Sequence, residues 1–370
     1  MPLPAAAGPQ RLPAKRGSRR RPLGLGAATA LHRGMTMRVT LQEVARIAGV
    51  SSATVDRVLN ERDGVRDLTR AHVLSVARQL GYLPPGEGSG HIRLAFLLPA
   101  GTNSFIRLLQ DQIEQQAGTL DGIHTVVETI EGFDPPALAD HLHRMRGQID
   151  GLGLIALDHP VVREAVRGLA RSGVRIVTLV SDIQAIPRLA YVGVDNRQAG
   201  RLAGYVMGRF LGPGRAGKVA LFAGSLSYRG HQEREMGFRH ILHEEFPALE
   251  IVELREMLDD REKAAAETQA LLDRHPDLAA IYNVGGGSAG IGRTIRARGL
   301  SDSIVMVGHE ATADNKALLL DGTMDAIIDQ NPRVEARESL AALVAAVKGE
   351  VYVPTPPRLH IIFRENLPDE

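Results

Sequence analysis

VTLQEVARIAGVSSATVDRVLN, residues 39–60, reads as two short helices joined by a tight turn. Leu41, Val44, Ala45 and Ala48 recur at helical spacing and give the first helix one apolar face. Thr40 is placed to cap its start, with Glu43 three residues on to complete a capping box. Gly49 stands where the chain needs free access to positive φ to leave the helix. Ser51 or Ser52 caps the second helix, whose Val55, Val58 and Leu59 face back onto the first. Ala45, Gly49 and Val55 (small residue, turn glycine, aliphatic) suit the close crossing of a helix-turn-helix, which lays its second helix in the major groove of DNA. The plain alternative is two helices of an ordinary bundle.

The pattern runs on. VRDLTRAHVLSVARQLGYLPP (65–85) predicts a third helix with Val73, Leu74, Ala77 and Leu80 on one face, ended by Gly81 and Pro84. The whole stretch resembles the DNA-binding headpiece of the lactose-repressor (LacI) family of bacterial regulators. The matching positions are 39–41, 43–45, 48–51, 54–55, 57–60, 69–70, 73, 80–82 and 84. The resemblance implies a DNA-contacting set of Thr40, Ser51, Ser52, Ala53, Thr54, Asp56, Arg57 and Asn60. Within it, Ser52, Ala53 and Arg57 meet base edges, Arg57 being suited to guanine. Ser51, Thr54 and Asn60 position the backbone. Asp56 departs from the family's usual serine and puts a negative charge near the phosphates unless a base offsets it. Alternatively it accepts from a cytosine amino group.

Composition sets bounds around this. At 370 residues the chain exceeds one typical domain. It has no cysteine, so disulfide and thiol chemistry are excluded, in keeping with a reducing bacterial cytoplasm. No run approaches the apolar length of a membrane span, and the absence of tryptophan argues against single-strand stacking platforms. The net charge of +1 hides an asymmetry: residues 1–38 carry eight Lys/Arg and no acid, leaving 36 basic and 43 acidic residues for the rest. This first stretch lacks periodicity and is expected to be disordered. It is either a phosphate-attracting arm or the product of an upstream start codon assigned in error, with Met35 or Met37 the true beginning.

Residues 84–91, PPGEGSGH, read as a polar linker. From 92 onward, short apolar runs alternate with helical stretches. Strands are predicted at 92–99, 123–130, 151–157 and 174–180, then at 218–224, 249–255, 278–284, 303–309 and 324–330. Helical patterns at 104–118, 196–211, 231–246 and 332–348 separate them. Such alternation predicts parallel sheets covered by helices on both faces, in two lobes. The fold class is thus an all-α helix-turn-helix headpiece (39–83) followed by an α/β domain (92–362) of two doubly wound parallel-sheet lobes. Residues 92–362 resemble the periplasmic-binding-protein-like effector domain of the same family. That resemblance implies crossings between lobes near 194–196, 308–310 and 330–332. Lobe 1 is then expected to hold about 92–194 and 310–330, and lobe 2 about 195–309 and 331–362.

Candidate ligand groups lie where strands end. They are Asn103, Phe105, Asp158, Asp182, Tyr228, Arg234, Asn283, Glu310 and Gln330. Arg234, in the R-x-x-G of YRGHQEREMGF, offers a planar fork of donors for vicinal hydroxyls or a carboxylate, or else sits solvated on its helix. Tyr228 stacks on an apolar sugar face or simply packs. Acids and amides at such places pair with several hydroxyls at once. Asp195 is read as a helix cap in preference to a ligand contact. His309 binds ligand, responds to pH or makes a structural hydrogen bond. GGGSAG (285–290) spells a dinucleotide fingerprint with Glu310 twenty residues on, but it follows the third strand of the second lobe. The family also places glycines at this turn for close helix approach. There is no Walker A lysine motif and no HExxH, and AGSLS (223–227) is not a GxSxG elbow. His141 and His143 fall on a surface helix without further ligands nearby.

Together these features predict a non-enzymatic, ligand-responsive transcriptional repressor of the bacterial cytoplasm, associated with the nucleoid. Its expected partners are a double-stranded operator, a sugar, polyol or sugar acid, and a second copy of itself, with a tetramer also compatible. No cofactor, metal or membrane is expected. The linker lacks the leucine that many relatives wedge into the minor groove, so ligand and DNA are expected to couple through dimer geometry. The alternatives are a transport-type solute-binding protein, which leaves 39–83 unexplained, and a nucleotide-dependent enzyme built around 285–290.

Overall fold

The computed structural model describes residues 40–60, 62, 64–65, 67–80, 82 and 92–368. The basic extension, Val39, Gly81, Pro84 and the linker 84–91 lie outside the described residues. The chain divides into two compact units, residues 1–89 and 90–370.

In the first unit, α1 (Leu41–Ala48), α2 (Ser52–Leu59) and α3 (Asp67–Gln79) enclose a small core. Val44, Ala45, Ala48, Val55, Val58, Val73, Val76 and Ala77 are buried there, and Leu74 and Leu80 partly so. Gly49 closes α1 in the left-handed region (φ 65), its N–H returning to the Ala45 carbonyl. Of the two serines, Ser51 is the cap of α2.

The second unit alternates strand and helix. Its first half runs β1 (Ile92–Ala100), α4 (Ser104–Ala117), β2 (Ile123–Glu131), α5 (Pro135–Arg144), β3 (Gly151–Leu154), α6 (Pro160–Arg171), β4 (Arg175–Leu179) and β5 (Ala190–Val192). These strands form one parallel sheet in the order β2-β1-β3-β4-β5. Then follow α7 (Asn196–Leu211), β6 (Gly217–Ala223), α8 (Arg229–Glu245), β7 (Leu249–Glu256), α9 (Arg261–Arg274), β8 (Leu278–Asn283) and α10 (Ser288–Ala297). The chain ends with β9 (Val305–His309), α11 (Ala313–Leu320), β10 (Ala326–Asp329), α12 (Pro332–Lys348) and β11 (His360–Ile362). The second sheet has the order β11-β10-β9-β8-β6-β7, parallel except for β11. Each sheet is buried on both faces, as the continuous apolar strands require.

Lobe membership differs from expectation. Residues 310–330 do not return to lobe 1: β10 pairs with β9, Ile328 opposite His309, so 308–310 is no crossing. Conversely α12 belongs to lobe 1, where Ala336, Leu340 and Leu343 pack with Leu94, Phe96 and Leu109. The crossings are at 192–196, at 330–332 and between α12 and β11. An apolar run announces a strand but not the sheet it joins.

Helices α7 and α8 approach closely because each lacks a side chain at the contact. A Cβ on Gly200 would collide with the Arg234 carbonyl, and one on Gly237 with the Arg197 carbonyl. The glycine of R-x-x-G is therefore a packing requirement. Gly290 plays the same part between α10 and α9, where a Cβ would meet the Arg261 carbonyl. Gly237→Ala is expected to destabilise the protein by about 1–3 kcal/mol, the usual cost of overpacking. Urea denaturation measures this; an unchanged midpoint would contradict the close contact.

Candidate functional site

On the headpiece, the residues expected at DNA lie on α2 and its two caps, except Thr40, which caps α1. Ser51 Oγ accepts from Thr54 N (3.1 Å) and lies 2.9 Å from Thr54 Oγ1. Thr40 Oγ1 accepts from Glu43 N at 3.4 Å, while Glu43 approaches Arg46 at 3.9 Å. Ser52, Ala53 and Arg57 are exposed on α2, opposite its buried Val55 and Val58. Asp56 is offset within the headpiece: its Oδ1 accepts from Asn60 Nδ2 (2.9 Å) and its Oδ2 lies 3.5 Å from Arg62 Nη1. Arg70, matched above only as part of the motif, donates to the carbonyls of Arg62 (2.7 Å) and Val58 (3.5 Å). It thereby buckles the end of α2 to α3.

The second unit holds a cavity between its lobes, at the carboxyl ends of the strands where each sheet order reverses. Asn103, Phe105, Tyr228, Arg234, Glu310 and Gln330 line it, together with His309. Asp158, Asp182 and Asn283 do not. Arg163 Nε donates to Asp158 Oδ1 (2.6 Å). Asp182 accepts from Thr178 Oγ1 (2.7 Å), Ile183 N (2.9 Å) and Arg188 Nη2 (2.6 Å). Asn283 is fully buried and braces the glycine turn through Gly286 O (2.8 Å) and Ser288 Oγ (2.7 Å). These groups have the sequence position of ligand contacts, but neighbours on the same chain use them. Asp195 caps α7 by accepting from Gln198 N (2.9 Å) and is not in the lining.

Arg234 is 4% exposed and bridges several elements. Its Nε donates to Asn196 Oδ1 (2.7 Å) and its Nη1 to the Val284 carbonyl (2.9 Å), while Nη2 stands 3.6 Å from Glu310 Oε1. Gln330 Nε2 donates to the same Glu310 oxygen at 2.6 Å. Burial pushes the Glu310 carboxyl up to about 8, against the opposing pull of Arg234. His309, bonded to the Tyr282 hydroxyl at 2.8 Å, is held well below its usual value by burial and by Arg234.

Hydrogen bonds close the mouth. Thr102 Oγ1 donates to the Asp259 carbonyl (3.0 Å), Asn103 Nδ2 to Asp259 Oδ2 (3.1 Å) and Ser104 Oγ to Asp314 Oδ2 (3.0 Å). The Tyr228 hydroxyl donates to the Gly132 carbonyl (3.1 Å), and its ring meets Phe133 edge-on at 5.8 Å. Each of these contacts joins one lobe to the other. Sequence reasoning missed Phe133, Asn196, His231 and Asp259, all in the lining, and Glu335, fully buried on α12. Asn196 had a usable signal, as the last residue of VGVDN (192–196), where the first lobe crossing was expected. Glu335 had none, because a glutamate at helical spacing looks like a solvated one.

Residues 40–85 match the family described as bacterial regulatory proteins, lacI family, and residues 94–350 match the periplasmic binding protein domain. The chain belongs to the LacI family. The HTH-type transcriptional regulator CelR of Thermobifida fusca is 27% identical over 360 residues, covering 89% of this chain and 98% of that protein. The D-ribose/D-allose-binding protein of Pseudomonas aeruginosa is 26% identical over 208 residues, 54% of this chain. The match spans 63% of that relative's length. A putative LacI transcriptional regulator from Bacteroides fragilis superposes with a TM-score of 0.67 at 21% identity, over 74% of this chain and 97% of that one. Among the described residues no helix is long and apolar enough to cross a membrane.

Glu310 makes stability depend on pH. Its folded value lies above the ordinary carboxyl range, so the folded chain keeps a proton that the unfolded chain releases. Its contribution is full below about 4.5 and is lost as the pH rises through about 8. Glu335, raised well above its usual value by burial and by Glu310, acts in the same direction. Melting temperature is expected to fall between pH 5 and 8, less steeply in Glu310→Gln; equal slopes would refute this role.

Proposed function

We propose that this chain is a sequence-specific transcriptional repressor whose operator affinity is set by a small hydroxylated ligand closed between the lobes of its effector domain. The observation that carries the reading is the pairing, on one chain, of a helix-turn-helix with an exposed α2 face and a two-lobed unit whose cavity is sealed by contacts from both lobes. A headpiece reads one half-site, so a homodimer on a palindromic operator is the working form. The ligand, a sugar, polyol or sugar acid, acts by favouring one relative angle of the lobes. Ribose and allose in the name of one similar protein agree with this class. The site of action is the bacterial cytoplasm, at the nucleoid.

A solute-carrier role would suit the second unit but leaves the helix-turn-helix without use. A nucleotide-dependent role fits less well. Gly286 N already donates to Asp259 Oδ1 at 2.7 Å, so a carboxylate of the chain occupies the place a pyrophosphate would take.

Mobility shifts on the region upstream of its own gene, with and without candidate metabolites, test the reading. Absence of salt-resistant binding to any promoter fragment would overturn it. Arg57→Ala is expected to weaken operator binding by about 1–3 kcal/mol, roughly 5- to 150-fold, and to relax specificity at one position. Equal weakening on every DNA sequence would assign Arg57 to the phosphates instead.

A further inference from the structure

We infer that Asp56 moves the phosphate contact at the end of α2 from Asn60 to Arg62. The inference rests on the headpiece reading DNA as proposed above, and it assigns the side chain that holds the DNA backbone while Ser52, Ala53 and Arg57 meet the bases.

The length of α2 sets the location. Its eight residues, at about 1.5 Å each, span about 12 Å, which matches the width of the major groove. With the start of α2 among the base edges, its end reaches the groove wall, where phosphates are the partners on offer. Asn60 caps that end and is exposed, three residues past Arg57. It cannot serve the wall as it stands. A phosphate oxygen accepts, so a side chain must bring it a donor. The Asn60 Nδ2 has two hydrogens, and Asp56 takes both: its main-chain carbonyl accepts at 2.9 Å and its Oδ1 at 2.9 Å. Two oxygens thus fix the amide nitrogen inward. What Asn60 has left is its own Oδ1, an acceptor facing acceptors.

Arg62 stands at the same end with donors to spare. Its N–H donates to the Arg57 carbonyl (2.9 Å) and its carbonyl accepts from Arg70 Nη2 (2.7 Å), so its main chain is fastened to both α2 and α3. Its side chain is exposed, and Nη1 lies 3.5 Å from Asp56 Oδ2, its one side-chain partner among the described residues. An exposed pair at this distance is weak. It aims the guanidinium without consuming the remaining donors of the fork, which match a phosphate in geometry and charge. The pair is neutral overall, so the Asp56 carboxylate does not repel the duplex while Arg62 stays beside it. Asp56 therefore withdraws one donor from the wall and presents a charged one in its place.

In the test, the full chain first selects a duplex from a randomised pool. Anisotropy titrations over a salt series then compare variants on that duplex and on an unrelated one. Arg62→Ala should weaken binding about fivefold or more on both duplexes and lower the slope of log K against log salt by about one. Arg62→Lys, which keeps the charge, should restore most of that slope. Asn60→Ala should change affinity by less than about twofold in the wild-type background, and by about threefold or more in Asp56→Ala, where its donors are released. A merely structural Asp56 would lower the melting temperature and leave this coupling at zero, which overturns the inference. So does an unchanged salt slope in Arg62→Ala, or an Asn60→Ala that weakens wild-type binding as much as Arg62→Ala does. A changed preference at one base pair in Asp56→Ala would make Asp56 itself a reader of bases and overturn it too. If Asn60→Ala or Asp56→Ala does not fold, the slope of Arg62→Ala decides alone. Selection of no duplex by the folded wild type would overturn the operator reading, and the inference with it.

Discussion

One buried guanidinium organises the effector unit. Arg234 reaches from α8 to the start of α7, to the end of β8 and to the turn after β9, through Asn196, Val284 and Glu310. A charge so enclosed is tolerated only when its donors find acceptors, and removing one acceptor leaves the others near an uncompensated ion. The close contact of α7 and α8 follows from this demand. Gly200 and Gly237 let the two helices approach until Arg234 can reach Asn196, the first residue beyond a lobe crossing.

The same region stores backbone strain. Val180, Glu310 and Asn331 adopt positive φ of 60°, 71° and 60°. All lie just past the ends of strands, Asn331 at a crossing itself, and Val180 is β-branched, the type least suited to that conformation. Tyr191 and Asn196 both donate to the Val180 carbonyl, at 2.9 and 3.1 Å, and so fix the distortion from two sides. Strain persists only where several partners hold it in place, and such residues cluster at ligand clamps and switch regions.

Much of this was legible in the sequence where local chemistry decides the outcome. Thr40, Gly49 and Ser51 set the helix ends because caps act within three or four residues. The main strands stood out as apolar runs, though the three-residue β5 and β11 did not. What stayed hidden depends on distant partners. Whether β10 joins the first or second sheet is settled by its neighbour β9 and not by its own residues. The cleft shows the same division. Arg234, Glu310 and Gln330 could be named from their places at strand ends and in R-x-x-G. Asp158 and Asp182 carry an identical local signature, yet Arg163 and Arg188 consume them. An arginine five or six residues downstream of each was the visible warning.

The rim and the hinge are built to different strengths. Bonds across the mouth involve exposed or half-buried groups such as Thr102 and Asp314, where each net hydrogen bond contributes about 0.5–1.5 kcal/mol and water competes. The polar groups at the hinge are buried, so separating them there exposes charges that the fold has already desolvated. Opening is therefore expected to break the rim while the network around Arg234 persists as a pivot. With only a few weak rim bonds to break, open and closed forms are expected to lie within a few kcal/mol of each other, the range that one small ligand's differential contacts can reverse. A stronger rim would keep the cleft shut without a ligand, and the lobes would then report nothing to the headpiece.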